Sequence, residues 1–191
     1  MPRVSVREQI VDAAMEQFHE RGFNGCAVKD ITNAAAVPKG SFYNHFDSKE
    51  SLALEVLRRY EADCAMQSLS DTSIEPVLRL RTFFGSLSQT LERFGYARGC
   101  LFGNFGTEMA DHSHPIREQV ESGLTRWATA VAAPLREAQA NGSLRPGCSD
   151  PDLLGRFIVD AWQGAVLRAK VAQNRAPLDD FFTIVFNSLL T

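Results

Sequence analysis

Lys39, Ser41, Tyr43, Asn44 and His45 crowd an ammonium, a hydroxyl, a phenol, an amide and an imidazole into one short stretch, broken only by Gly40 and Phe42. On one face of a short helix such groups donate to phosphate oxygens and reach the edges of base pairs. Gly40 and Ser41 are small enough to let the backbone come close to those edges. Phe42 and Phe46 lie four residues apart and share the opposite, core-facing side with Val37. Pro38 suits the first helical position, where its missing N–H costs nothing. The chemistry this pattern offers is recognition of double-stranded DNA rather than bond making.

The stretch just before it, Val28-Lys29-Asp30-Ile31-Thr32-Asn33-Ala34-Ala35, reads as another short helix with Val28, Ile31 and Ala35 on one side. Ala36-Val37-Pro38 is then a tight turn between two helices, the arrangement of a helix-turn-helix. The positions Ile10, Ala13, Phe18, Gly22, Phe23, Val28, Asp30, Ile31, Ala35, Val37, Lys39, Gly40, Phe42, Tyr43, Phe46, Ser48, Lys49, Glu50 and Leu52 together resemble the TetR family of bacterial transcriptional regulators. The resemblance implies an all-α fold with a three-helix DNA-binding head over residues 1–47 and a ligand-sensing and dimerisation body over 48–191. It implies about nine helices in total. Carried residue by residue, it gives a DNA face of Lys29, Val37, Pro38, Lys39, Gly40, Ser41, Tyr43, Asn44, His45 and Lys49. Three positions depart from the family pattern. Ala36 stands where a turn glycine is usual, so the turn must avoid a positive φ or bear strain. Cys26-Ala27 replaces the usual Thr or Ser capping pair, and Pro38 replaces a common serine. These departures shift expected phosphate contact onto Tyr43, His45 and Lys49.

The other elements follow from caps and periodicity. Ser5 with Glu8 forms a capping-box signature for the first helix, which Arg21-Gly22 ends. Asp47-Ser48 opens a fourth helix that can run to about Leu69. A helix from Ile74 to about Phe94 carries Leu80, Phe83, Phe84, Leu87 and Leu91 at helical spacing. After the breaker Gly95-Tyr96-Ala97-Arg98-Gly99 comes Cys100 to Ala110, weakened by Gly103 and Gly106. A long helix runs from about Ile116 to Ala140, with Pro134 as its expected kink. Asp150-Pro151 opens the next, to about Val171, and Pro177 starts the last. The last two helices are apolar over more than one stripe, which points to a subunit interface. By resemblance they pair as a dimeric four-helix bundle, with Phe157, Ala161, Phe182 and Phe186 as the expected contacts.

A second group of residues carries possible sensor chemistry. Gly99-Cys100-Leu101-Phe102-Gly103-Asn104 is similar to a motif in the electrophile-, quinone- and unsaturated-carbonyl-sensing subgroup of the same family. A thiol at a helix N-terminus is a better nucleophile because the helix dipole favours its thiolate. The alternative is a buried cysteine used as a small hydrophobe. Phe83, Phe102, Asn104, Trp127 and Trp162 are the expected lining of an effector site, though aromatics at such spacing also serve as plain core. His112-Ser113-His114, with Glu108 and Asp111 nearby, lacks the third matched ligand of a metal site, so neither metal nor cofactor is expected.

Composition bounds the rest. The 191 residues are 45% hydrophobic with a net charge of −3, which disfavours a DNA-coating protein but allows one small basic face. No apolar run is long enough for a membrane span, and the start of the chain has no signal segment. Cys26, Cys64, Cys100 and Cys148 are far apart, as expected of thiols in a reducing cytoplasm. The leading expectation is a homodimeric regulator, a repressor of a near-palindromic operator released by a small molecule or an electrophile. The alternatives are a Cys100-dependent enzyme with His112 or His114 as base, and a helical ligand-binding protein without DNA binding.

Overall fold

A computed structural model describes residues 5–63, 66–145, 147 and 150–190, and every regular element among them is helical. Cys64, Cys148 and Pro146 lie outside the described residues. The helices are α1 (Val6–Arg21), α2 (Val28–Ala34), α3 (Lys39–Tyr43), α4 (Lys49–Asp63), α5 (Pro76–Arg93), α6 (Leu101–Met109), α7 (His114–Ala140), α8 (Pro151–Ala172) and α9 (Ala176–Ile184). A 3-10 turn spans Met66–Ser70, and a π-helical turn, Val185–Leu189, continues α9.

Most boundaries are set by local chemistry. Ser5 caps α1 by accepting from the Glu8 N–H at 3.2 Å. The Glu8 carboxylate is drawn instead to Arg59 at 2.9 Å. Asp150 caps α8 through the N–H groups of Asp152 and Leu153, ahead of Pro151 at the first position. The start of α5 is later than Ile74 because Glu75 caps it, accepting from Val77 and Leu78, with Pro76 at the first turn. The fourth helix is described over Lys49–Asp63 and does not continue to Leu69, because Met66–Ser70 winds more tightly. Here Arg79, almost fully buried, donates to the carbonyls of Leu69 at 2.9 Å and Ile74 at 3.0 Å. Its guanidinium also grips the Glu137 carboxylate at 2.8 and 3.1 Å. These bonds favour the local turn over two more turns of helix. α7 begins two residues earlier than periodicity gives, and Pro134 lies inside it.

The chain packs as two compact units, Met1–Cys64 with Leu101–Glu121, and Ala65–Cys100 with Ser122–Thr191. Packing thus groups α4, α6 and the first part of α7 with the head, a different cut from 1–47 and 48–191. In the first unit Ile10, Val11, Ala14 and Phe18 of α1 are buried with Ile31, Phe42, Phe46, Leu52, Val56, Leu57 and Phe105. In the second, Leu80, Phe83 and Phe84 of α5 share a core with Trp127, Val131, Leu135, Ile158, Trp162, Phe181 and Phe186. α8 lies close against α7 at Gly155, where an added Cβ would stand 2.8 Å from the Ala128 carbonyl oxygen.

Candidate DNA interface and sensor

α3 stands on a buried apolar side. Phe42 is fully buried and Phe46 nearly so, their rings 5.8 Å apart, and the N–H of Phe46 bonds the Phe42 carbonyl at 2.9 Å. Lys29, Pro38, Lys39, Gly40, Tyr43, Asn44 and His45 are exposed, while Val37 and Ser41 are half-buried. Tyr43 is 58% exposed although its ring edge touches Phe42. An added Cβ on Gly40 would meet no atom within 4 Å, so this backbone is open to a large partner. Pro38 is the cap of α3 rather than its first helical residue, since its ψ of 141° is extended.

The turn before α3 bears the strain that Ala36 implies. Ala36 has φ 54°. Its N–H bonds the Asn33 carbonyl at 3.1 Å, and the Val37 N–H reaches back to Thr32 at 3.0 Å. This paired closure of α2 requires a left-handed residue, which costs a side-chain-bearing alanine about 1 kcal/mol. At the other end of α2 no side chain caps at Ala27, but Asp30 accepts from the Ala27 N–H at 2.8 Å. The family's capping pair is thus replaced by half a capping box.

Lys49 is placed differently from the phosphate contact expected of it. Its ammonium donates to the carbonyls of Phe23 at 2.8 Å and Cys26 at 2.9 Å and sits 4.0 Å from the centre of the Phe23 ring. Two of its three N–H groups are engaged within the head, leaving one for any phosphate. Sequence reasoning missed this clamp, because nothing in the spacing signals carbonyls more than twenty residues upstream.

α6 is tied to the head along its length. Phe102 packs edge-on to Tyr60 of α4, and Phe105 packs against Phe18 and Phe23. Glu108 accepts from the Asn24 N–H at 2.9 Å, in the loop between α1 and α2. Gly22, at φ 75°, leaves room for that carboxylate: an added Cβ would stand 2.1 Å from the Glu108 oxygen. Beyond α6 the Ser113 hydroxyl donates to Glu50 in the first turn of α4.

Cys100 is buried and directly precedes α6, and the Gln163 amide of α8 donates to its sulfur at 3.4 Å. Lys170 of the same helix lies 3.5 Å from the Arg98 carbonyl. Cys26 is fully buried, and burial, with Asp30 second, pushes its thiol above the ordinary value. Of the expected effector residues, Phe83, Trp127 and Trp162 meet around Phe84 in the second unit. Phe102 and the half-buried Asn104 belong to the first. Near the His112–His114 turn, Glu108 accepts from the Asn24 N–H and His114 lies 3.4 Å from Glu118.

The expected dimer residues divide. Phe157 is 52% exposed, and Ala161 and Phe182 are half-buried. Phe186 is corrected to a core residue: it is buried against Phe84, Phe181 and Phe182. The exposed apolar stripe on α8 is Leu153, Phe157, Leu167 and Val171, with Ile184 exposed on α9. The signal for it was the spacing of the apolar positions 153, 157, 167 and 171, which fall on one helical face.

Comparison with known proteins agrees with this geometry. Residues 10–56 match the family described as bacterial regulatory proteins, tetR family, and residues 76–185 match the Tetracyclin repressor-like, C-terminal domain. The chain belongs to the TetR family of transcriptional regulators. It is 42% identical over its whole length to the HTH-type transcriptional repressor DhaR of Mycobacterium sp. (strain GP1), covering 95% of that protein. It is 31% identical to the HTH-type transcriptional repressor NemR of Escherichia coli K12, over 97% of this chain and 94% of that one. Among solved structures, a regulatory protein TetR from Rhodobacter sphaeroides superposes with a TM-score of 0.88 at 35% identity, covering 96% of this chain and 98% of that chain. The nine α-helices among the described residues fit the family's all-α architecture of a helix-turn-helix head and a helical body.

Proposed function

We propose that the protein is a homodimeric repressor that grips a near-palindromic operator with two copies of α3 and lets go when its body takes up a small molecule. The observation that carries this reading is the division of α3. Phe42 and, just past the helix, Phe46 are locked in the core, while Lys39 and Tyr43 on α3 and Asn44 and His45 in the turn that follows are exposed, on an element short enough to enter a major groove. One such head offers too few base contacts for useful specificity, so two symmetric heads are needed. The apolar stripe of α8 supplies a self-complementary surface for the pairing.

Release runs through α6. Its end holds the loop before α2 through Glu108, and its middle holds Phe18 and Phe23. A shift of this glycine-containing helix therefore changes the position of the head. Cys100 at its start is a second trigger: the Gln163 amide donates to its sulfur, and alkylation adds bulk where α6 begins.

A gel-shift assay with the DNA flanking the protein's own gene tests the reading. A discrete complex that dissolves on adding an α,β-unsaturated aldehyde, with the Cys100→Ser complex surviving, supports both operator binding and the thiol trigger. A complex that dissolves equally in both proteins moves the trigger from Cys100 to a reversible ligand. No complex with any such DNA contradicts the proposal.

A further inference from the structure

Three buried hydrogen-bonding atoms in the second unit have no protein partner among the described residues, and beside the Nε of Arg79, whose guanidinium is otherwise bonded, two of them belong to neutral side chains. These two are the hydroxyl of Ser88 on α5 and the indole N–H of Trp127 on α7. Ser88 is 1% exposed and Trp127 6%. Phe84 of α5 stacks on the Trp127 ring at 6.5 Å and Phe83 meets it edge-on at 6.3 Å, while Ser88 is buried one helical turn after Phe84 on the same face of α5. A buried N–H or O–H without a partner destabilises a fold, whereas phenylalanine at 127 and alanine at 88 would fill similar space without that cost.

We propose that Ser88 and Trp127 are the polar anchors of a ligand site among the aromatic rings of α5 and α7, and that its ligand is a small neutral molecule with a carbonyl oxygen. This inference rests on the reading of the protein as an effector-responsive regulator. The indole N–H only donates and the serine hydroxyl can donate, so the ligand must accept. Neutrality follows from the surroundings. Arg79 is the sole buried charged residue described in this unit, and its charge is balanced by Glu137 through the terminal nitrogens, although its Nε has no partner among the described residues. A carboxylate placed beside Phe83, Phe84 and Trp162 would meet no balancing cation there. An apolar body stacks on the rings, and the carbonyl oxygen takes one or both donors.

The test uses full-length protein without DNA, with Trp162→Phe as the parent so that Trp127 is the only tryptophan and reports binding by fluorescence. The probes are acetophenone and cyclohexanone as carbonyls, ethylbenzene and methylcyclohexane as shapes lacking the oxygen, and benzoate as the anion. Saturable binding of at least one carbonyl is expected, with its oxygen-free counterpart and benzoate each at least about tenfold weaker, the loss expected for a buried hydrogen bond. Ser88→Ala should weaken the carbonyl by a similar factor. Trp127→Phe, measured by calorimetry in the otherwise unmodified protein, should do the same. Neither variant should lower the thermal midpoint, because each removes an unpartnered polar group, a result that a purely structural role would not give. Absence of saturable carbonyl binding, equal binding by both variants, or preference for benzoate overturns the proposal. A separate gel shift keeps the two readings apart. DNA binding without any carbonyl site leaves the regulator intact and sinks only the anchors, while carbonyl binding that never releases DNA keeps the site and removes its effector role.

Discussion

Lys49 shows how one side chain can stabilise a DNA-binding head from within. Its ammonium bonds two carbonyls and rests on the Phe23 ring, so it fixes the loop joining α1 to α2. Replacing it with alanine should destabilise the fold by about 2 kcal/mol, the range for hydrogen bonds to a charged group, and lower the thermal midpoint. The salt dependence of DNA binding should stay nearly unchanged. An unchanged midpoint with a shallower salt slope would return Lys49 to the phosphates. Glu137 gives a pH-dependent case. The Arg79 guanidinium that bonds it holds its carboxyl below the ordinary glutamate value. A carboxyl lowered in the folded state adds stability above its unfolded value of about 4.3 and loses it as pH falls through the folded value. The thermal midpoint should therefore drop on acidification below about pH 4.3 more steeply in the parent than in Glu137→Gln. The contribution is modest, since the Glu137 side chain is 40% exposed and screened by solvent.

At the scale of elements, the proposed release depends on α6, which is bonded and packed to the head. Glu108→Ala removes its bond to the Asn24 amide while leaving Phe105 packed on Phe18 and Phe23. Effector-induced loss of DNA affinity should then shrink by about fivefold, a fraction of a typical coupling energy, measured as the ratio of Kd with and without effector. An unchanged ratio would show that the signal bypasses this bond. Elements with caps and strong periodicity were legible in the sequence. Gly22 ended α1, Asp150-Pro151 opened α8, and the helix-turn-helix was read with a turn at Ala36 that had either to avoid a positive φ or to bear strain, of which its φ of 54° is the second. The fourth helix ran too far because its end depends on Arg79, whose partners at Leu69, Ile74 and Glu137 are a tertiary matter. The face of α3 was readable because exposure follows from helical spacing alone. The Glu108 and Lys49 contacts were not, since long side chains reaching distant backbone leave no periodic trace.

At the scale of the molecule, the proposal has the exposed α8 stripe pair two copies so that two heads act together. Leu167→Glu should give folded monomers with much weaker DNA binding, seen by sedimentation, because Leu167 is more than half exposed. Phe186→Glu should instead cost the fold itself, since that ring is packed between Phe84 and Phe181. A parent protein that sediments as a monomer at micromolar concentration contradicts the pairing. The central claim, sequence-specific DNA binding through α3, is tested most directly by fluorescence anisotropy. The affinity for a duplex from the protein's own promoter region is compared with that for a scrambled duplex of equal length and composition, across a salt series. The parent should prefer its own sequence by about a thousandfold or more, and Lys39→Ala should weaken both duplexes and flatten the salt slope by about two, one contact per head. Equal affinity for the two duplexes at every salt concentration would contradict the account.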